Sequence, residues 1–257
     1  KVFFLILIIL LKQYFMITYS VTEASRMKVN NRYCSFYYRN DPVTHEISYR
    51  PNETALMLID LQNYFVDRPD FGSEQEAHEW EEMYRYIHET VIPNNERLLT
   101  FARENEILVV HAVIESSFED GRERSLSHRR PTFNNIIIAP NTYESKIIEP
   151  LTPQKNEVMI KKTAHSAVDS SLVLLLNNLG ITDIIATGLV TDQCVSSTVR
   201  GLSDHNFRVW VVEDATMAGT FELRDNELTI LNNTYCNVVN TEEIVNVLSK
   251  DESEREN

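Results

Sequence analysis

Three segments of the sequence each carry a residue suited to covalent or acid–base chemistry close behind an apolar run. Asp60 follows residues 55–59, Lys161 and Lys162 follow residues 158–160, and Cys194 comes shortly after residues 184–186. A thiolate is a strong nucleophile, a carboxylate can accept the thiol proton, and an ammonium group can stabilise both anions. These residue types together predict nucleophilic catalysis by Cys194.

The three apolar runs are typical of strands buried on both faces of a parallel sheet. Parallel strands of one sheet end at the same edge, where open α/β sheets bind their ligands, so the reactive side chains can converge there. Cys194 is also expected to open a helix, whose free N–H groups and macrodipole stabilise a thiolate. Structural roles compete with this hypothesis: a small buried hydrophobe for Cys194, a loop cap for Asp60 and a solvated surface residue for the lysine.

Four short segments provide a second line of evidence through their residues, order and spacing. They are residues 59–63 (Ile-Asp-Leu-Gln-Asn), 162–167 (Lys-Thr-Ala-His-Ser-Ala), 188–195 (Gly-Leu-Val-Thr-Asp-Gln-Cys-Val) and 212–216 (Val-Glu-Asp-Ala-Thr). This pattern resembles the isochorismatase-like cysteine hydrolases, which include nicotinamidases, N-carbamoylsarcosine amidohydrolase, ureidoacrylate amidohydrolase and biuret hydrolase. The resemblance covers roughly residues 49–250 and implies hydrolysis of a C–N bond in a small amide, ureide or carbamoyl compound.

The resemblance also implies a role for individual residues. Asp60 corresponds to the general base, Lys162 to the stabilising cation and Cys194 to the nucleophile that forms a thioester. Lys162 is chosen over Lys161 because it stands three residues before the His-Ser-Ala segment. The backbone N–H groups of Thr191 and Cys194 would form the oxyanion hole, after a cis peptide expected at Val190–Thr191.

Phe65 is an expected substrate contact by the same resemblance, and His165 and Gln193 are candidates for polar contacts with the substrate. The local motifs are closer to the ureidoacrylate and biuret enzymes than to nicotinamidases, whose metal signature of Asp-x-His with a further His is absent after the second predicted strand. His111, within that strand, is interpreted as a packed core residue. No metal or other cofactor is therefore expected. Val168 departs from the family pattern, which has an aromatic residue there.

Two other functions stay open. The chain could hydrolyse a vinyl ether of the isochorismate type, with Asp60 as the acid and Cys194 incidental. It could also be a catalytically idle family member that acts as a secreted, oligomeric binding protein. Because an idle site has no chemical reason to keep Asp60, Lys162 and Cys194 together, the intact set favours an enzyme. The resemblance implies a homo-oligomer, either a dimer or a tetramer.

The composition excludes several functions. The 257 residues carry a formal net charge of −14, which disfavours binding to nucleic acids or anionic membranes through charge alone. Three cysteines do not form a disulfide framework. A Cys34–Cys236 disulfide would be conceivable in an exported protein, but we expect these thiols to stay free.

The N-terminal segment, residues 1–25, resembles a signal peptide, with a positive first residue followed by an apolar run. This favours secretion, and the sequons at Asn52 and Asn232 are compatible with it. The alternative is a mis-annotated extension of a cytoplasmic protein whose translation starts at Met16 or Met27. Residues 26–48 are then a polar lead-in, residues 49–250 the hydrolase domain and residues 251–257 an acidic tail.

The alternation of strand and helix patterns predicts an α/β fold, with a doubly wound, six-stranded parallel sheet and helices on both faces. Strands are expected at residues 55–59, 107–113, 158–160, 184–187, 208–212 and 236–239. Helices are expected within residues 76–104 with an interruption at Pro93, and at residues 170–179, 194–204, 221–232 and 241–248. Residues 118–152 are expected to be irregular, with a solvated charged run at residues 119–124.

Overall fold

The computed structural model describes residues 32–39, 50–70, 72–131 and 135–246. Its six strands are β1 (Thr54–Ile59), β2 (Leu108–Ile114), β3 (Val158–Lys162), β4 (Asp183–Leu189), β5 (Arg208–Met217) and β6 (Asn237–Val239). They form one sheet in the order β3-β2-β1-β4-β5-β6, and every neighbouring pair is parallel. The predicted six-stranded parallel α/β fold is therefore confirmed.

Helices cover both faces of this sheet. They are α1 (Asn63–Val66), α2 (Glu74–Tyr86), α3 (Ile92–Glu104), α4 (Ser170–Asn178), α5 (Ser196–Asp204) and α6 (Phe221–Leu231), with a further helical segment at residues 241–246. β1 shows the arrangement: Leu56 and Leu58 pack in one core cluster with α2 and α3, and Met57 packs in the other with α4, α5 and α6. Because β1 is buried throughout, each such side chain contributes about 1.5–3 kcal/mol of hydrophobic stabilisation.

Pro93 does not interrupt the long helical segment, which corrects the prediction. Helices α2 and α3 are continuous through a π-helical turn, Ile87–Val91, in which the N–H of Ile92 bonds to the carbonyl of Ile87. Pro93 comes one residue after this wider i→i−5 bond, which leaves room for a ring that would clash with the preceding turn of a regular helix.

β5 is longer than its apolar pattern indicated. The predicted strand ends at Val212, whereas β5 continues to Met217 through an irregularity in its pairing with β4. Beyond this irregularity Thr216 pairs with Gly188, so the second half of β5 lies beside the end of β4. An apolar pattern cannot show this, because residues 213 and 214 are acidic.

Residues 32–39 of the predicted lead-in contact the hydrolase domain. Asn232 donates its side-chain N–H to the carbonyl of Tyr33 at 2.8 Å, and the hydroxyls of Tyr38 and Thr234 lie 3.1 Å apart. The predicted signal peptide and acidic tail fall outside the described residues, so these assignments, like the oligomeric state, stay predictions. Within the part of the chain that is described, no helix is long and apolar enough to cross a membrane.

Candidate active site

The candidate site lies where the strand order reverses. β1 and β4 are neighbours at the centre of the sheet, and the chain leaves β1 toward β2 on one side and β4 toward β5 on the other. The carboxyl ends of strands at such a switch point form a crevice in open α/β sheets. Asp60 follows β1 directly and Cys194 lies in the turn after β4, so the topology brings both residues to this crevice.

Lys162 reaches Asp60 from the end of β3. Its Nζ lies 2.7 Å from Oδ2 of Asp60, and both residues are buried, with 5% and 0% of their surfaces exposed. Lys161 points to the other side of β3, where it is exposed and pairs with Glu115. The alternation of side chains along the strand thus separates the two lysines, and only Lys162 enters the site.

Asp60 is held by its backbone as well as by Lys162. Its φ angle is +52°, and its N–H donates to the carbonyl of Ala112 on β2 at 2.8 Å. Burial raises the pKa of Asp60, and this effect is opposed by the charge of Lys162 and by a hydrogen bond from Cys194. The carboxyl group is therefore a stronger proton acceptor than an exposed aspartate.

Gly188 allows β4 to approach β1 closely at this point. A Cβ atom at residue 188 would lie 2.0 Å from the carbonyl oxygen of Ile59, and the φ angle of +112° also disfavours side chains. The residue before Asp60 and the segment leading to Cys194 are therefore in contact only because residue 188 is glycine.

The nucleophile turn begins earlier than predicted. A π-helical turn, Thr191–Val195, precedes α5, so Cys194 is its fourth residue and does not open the helix. The cis peptide bond lies at Leu189–Val190, one residue before the expected Val190–Thr191 bond. Leu189 still lies opposite Met217 of β5, so the cis bond stands where the chain leaves the sheet.

The first turn also contains the groups expected to form an oxyanion hole. Thr191 and Cys194 are buried, and they lie where backbone N–H groups precede the regular helical hydrogen bonds. The hydroxyl of Thr191 lies 2.8 Å from that of Thr216 on β5, which fixes the turn against the sheet. Thr216 belongs to the fourth sequence segment, but its contact with Thr191 was not predicted.

The Cys194 thiol is protonated in this site, contrary to the effect expected from the helix terminus. Burial raises the pKa of Cys194 and the neighbouring Asp60 carboxylate raises it further, while Lys162 only partly opposes them. These two effects outweigh the helix terminus because only 4% of the residue is exposed. The thiol thus holds its proton and donates it in a hydrogen bond to Asp60, so the proton must move to Asp60 when the sulfur attacks.

His165 is the third polar group beside the thiol. Its Nδ1 lies 3.9 Å from Sγ of Cys194, and its ring packs edge-to-face against His128 with centroids 4.2 Å apart. Burial and the charge of Lys162 lower the pKa of His165, so its ring is neutral near pH 7. His128 comes from the long loop after β2, and sequence analysis did not identify it.

Phe65 and Gln193 line one cleft of about 600 Å³ beside the nucleophile turn. Aromatic side chains dominate its wall, and Val190 connects it to the turn that carries Cys194. The aromatic lining residues are Tyr64, Phe65, Trp80, Tyr84 and Tyr143. Gln193 is exposed at the mouth, whereas His165 does not line this cleft and lies on the thiol side of the site.

The charged run at residues 119–124 is only partly solvated, which corrects another prediction. Arg124 is buried and donates to the carbonyls of Gly121, His128 and Ile136. One guanidinium group thereby organises the loop that carries His128. The sequence signal for this role is weak, because Arg124 stands in a run of mostly exposed charged residues.

His111 is a packed residue of β2, at a distance from the reactive groups. Its Nε2 lies 2.8 Å from Glu157, which also accepts from Arg103 at 2.7 Å. Among the residues that the structure describes, no group of three or more His, Cys, Asp or Glu side chains could hold a metal ion. All three cysteines of the chain are free thiols.

Comparisons with known proteins agree with this architecture. The isochorismatase domain matches residues 54–243 of the chain. A ureidoacrylate amidohydrolase of Enterobacter sp. is 25% identical over 189 residues, which cover 66% of this chain and 77% of that protein. A probable inactive nicotinamidase of Arabidopsis thaliana is 28% identical over 180 residues, which cover 68% of this chain and 85% of the relative.

Solved structures show the same fold. A cysteine hydrolase from Pseudomonas syringae superposes with a TM-score of 0.64 at 20% identity, covering 79% of this chain and 95% of that one. An isochorismatase family protein from Desulfovibrio vulgaris superposes with a TM-score of 0.63 at 24% identity, covering 77% of this chain and 98% of that one. Because the isochorismatase domain matches most of the chain and the parallel sheet is the same, the chain belongs to the isochorismatase family of hydrolases.

Proposed function

We propose that this protein is a cysteine hydrolase that cleaves a C–N bond of a small amide, ureide or carbamoyl compound. The observation that carries the proposal is the buried contact between Asp60 and Lys162 beside the thiol of Cys194. Complete burial of two charges costs desolvation free energy, which only their mutual attraction can offset. Ionisable groups in such surroundings are concentrated at functional sites.

The reaction begins when the thiol proton moves to Asp60 as the sulfur attacks the substrate carbonyl. The backbone N–H groups of Thr191 and Cys194 stabilise the oxyanion, and Lys162 stabilises the negative charge that moves between the thiol and Asp60. Collapse of the tetrahedral intermediate breaks the C–N bond, and Asp60 returns the proton to the leaving nitrogen. Water then hydrolyses the thioester and regenerates the thiol.

The aromatic cleft supports a substrate with a flat or apolar portion beyond the reacting carbonyl. Phe65 and Tyr64 pack edge-to-face with centroids 5.0 Å apart, so they offer a rigid aromatic wall to a planar group. Gln193 provides a donor and an acceptor at the mouth. A ureidoacrylate is planar and carries both kinds of polar group, which fits the similarity to a ureidoacrylate amidohydrolase.

An idle family member is the second candidate function, because one relative is named a probable inactive nicotinamidase. In such a protein Cys194 would be an ordinary buried thiol. The contact of Asp60 with Lys162 argues for the enzyme, since a binding protein has no use for an ion pair buried under its sheet edge.

Ammonia release distinguishes these functions. The panel contains ureidoacrylate, biuret, N-carbamoyl amino acids and nicotinamide, each tested with the wild type, Cys194→Ala and Cys236→Ala. Cys236 is the matched control because it is also a buried thiol, but its charged neighbours are Arg200 and Glu227 and not Asp60 and Lys162. We expect release by the wild type and Cys236→Ala but not by Cys194→Ala. Equal release by Cys194→Ala would refute the thiol mechanism. No release by any form would favour the vinyl-ether hydrolase, which isochorismate as a substrate then tests, or the idle protein.

A further inference from the structure

One imidazole near the nucleophile has no role in the acylation step described above. Nδ1 of His165 lies 3.9 Å from Sγ of Cys194, which is within the range of a weak hydrogen bond to sulfur. His165 is half-buried, whereas Asp60, Lys162 and Cys194 are all buried. Of these four groups, His165 is therefore the one that incoming water can reach most directly.

A second imidazole fixes the orientation of the first. His128 is 0% exposed, and its ring meets that of His165 at an angle of 79° between their planes. Among the described residues, no side chain makes a well-formed hydrogen bond to either ring nitrogen of His128, although the backbone of Thr163 lies beside the ring. The ring is therefore held between the Thr163 segment and the ring of His165.

Several contacts hold His128 in position. It ends a short 3₁₀ helix, Leu126–His128, and the preceding Ser125 donates its N–H to the carbonyl of Thr163 at 3.0 Å. Arg124 holds the carbonyl of His128 at 2.8 Å from within the loop. The loop is therefore fastened to the segment between Lys162 and His165.

We propose that His165 is the general base of deacylation and that His128 is the residue that positions it. This inference rests on the proposed thioester mechanism. Nδ1 of neutral His165 accepts a proton from water while the water oxygen forms a bond to the thioester carbonyl carbon. The tetrahedral intermediate then breaks its C–S bond, and the same Nδ1 returns the proton to Sγ. The products are the carboxylic acid, the free thiol and the neutral imidazole, so protons and electrons balance.

The surroundings of His165 keep its ring in the neutral form that this step requires. Burial and the charge of Lys162 lower the pKa of His165. His128, which packs against it, is neutral as well, because burial lowers its pKa to about 4 and the nearby charges of Lys162 and Arg124 act in the same direction. Asp60 and Cys194 complete the set of titratable groups around the site. Once acylation is complete, Asp60 lies beneath the thioester without exposure to solvent, and His165 is left as the accessible base.

p-Nitrophenyl acetate tests this step without knowledge of the natural substrate. It acetylates a nucleophilic thiol and releases nitrophenolate, so the burst reports acylation of Cys194. The loss of the acetyl group, followed by mass spectrometry of the Cys194 peptide, reports deacylation. The forms compared are the wild type, His165→Gln, His165→Ala, His128→Ala, His128→Phe and the control His78→Gln, whose side chain is exposed on α2.

We expect His165→Gln to keep the burst and to deacylate about 100-fold or more slowly, which is the lower range for loss of a general base. His78→Gln should match the wild type. His128→Phe should deacylate within a few-fold of the wild type because it keeps an edge-to-face ring, and His128→Ala should be slower than His128→Phe. Free imidazole should restore deacylation in His165→Ala.

The pH profile separates a base from a structural support. The pKa of His165 is lowered from its ordinary value of 6.5, so wild-type deacylation should rise up to that pKa and stay level above it. The profile of His165→Gln should lack this plateau.

Equal deacylation rates in the wild type and His165→Gln would refute this inference and leave Cys194 as the nucleophile. A parallel loss of burst and deacylation in His165→Gln would refute it too, because His165 would then only support Cys194. Absence of both nitrophenolate release and an acetylated Cys194 peptide, in the wild type and in His165→Gln alike, would instead refute the proposed nucleophile itself.

Discussion

Replacing Lys162 with methionine leaves the Asp60 carboxylate buried without a counter-charge. At the observed separation of 2.7 Å, the attraction between the two charges is about 6 kcal/mol for an effective dielectric constant of about 20. The variant does not lose this attraction in full, because Asp60 can take up a proton and become neutral. Protonating a carboxyl group of ordinary pKa at pH 7 costs about 4 kcal/mol. We therefore expect Lys162→Met to lower the free energy of unfolding by about 3–4 kcal/mol at pH 7.

The sign of the pH dependence follows from the pKa of Asp60. Burial raises this pKa even beside Lys162, and removal of Lys162 raises it further. A carboxyl group whose pKa is raised on folding stabilises the folded state most below its unfolded pKa of about 3.9, and this contribution is lost as pH rises toward the folded pKa. The difference between the wild type and Lys162→Met should thus grow with pH, by at most about 1.4 kcal/mol per unit.

Urea unfolding at pH 5, 6, 7 and 8, followed by the fluorescence of the buried Trp210, measures this difference. Lys161→Met is the matched control, since that lysine is exposed and its ion pair contributes at most about 1 kcal/mol. The double variant Asp60→Asn/Lys162→Met removes both charges and should recover part of the stability at pH 8. A penalty for Lys162→Met that is equal at pH 5 and pH 8, or no larger than that of Lys161→Met, would refute the reasoning.

Two further predictions concern the end of β4 and the sequons. Gly188→Ala should lower the free energy of unfolding by more than about 2 kcal/mol, and this loss should be larger than that of Gly180→Ala. Both glycines have a positive φ angle, but only at Gly188 would the added Cβ meet the backbone of another strand. Equal urea midpoints for the two variants would contradict this prediction. When the chain is expressed through a secretory route, the folded protein should carry a glycan at the exposed Asn52 and none at Asn232. Asn232 is 0% exposed, and its side-chain amide makes hydrogen bonds with the backbone of Tyr33 and Val238. A glycan attached to Asn232 in the folded protein would contradict this prediction.

The sheet could be predicted from the sequence because its signals are local. Central strands of a parallel sheet are buried on both faces, so β1, β2 and β4 appear as continuous apolar runs with clear ends. Helix ends also have local signals: Asp169 caps α4 by accepting from the N–H of Leu172, and Gly180 follows its last turn with a φ angle of +72°. The number of strands and the helices on both faces followed from the family that the four segments resemble, whereas the order of the strands was not predicted.

Where local signals were misleading, a tertiary contact had overridden them. Pro93 predicts a helix break, but the π-helical turn before it leaves room for the proline ring. The acidic residues after Val212 indicate the end of a strand, but pairing with β4 resumes at Thr216. Cys194 was expected to have a stabilised thiolate, but its burial beside Asp60 raises the pKa instead.

By itself, the sequence determined the parallel α/β class and the positions of Asp60, Lys162 and Cys194 at strand ends, since these follow from hydrophobic patterns and short motifs. Tertiary structure alone decided which groups touch. It joined Lys162 to Asp60 across a full strand, set Thr216 against Thr191, and carried His128 on a loop to the face of His165. The physical reason is that burial, pKa and contact depend on residues far apart in the chain, which no local pattern can report.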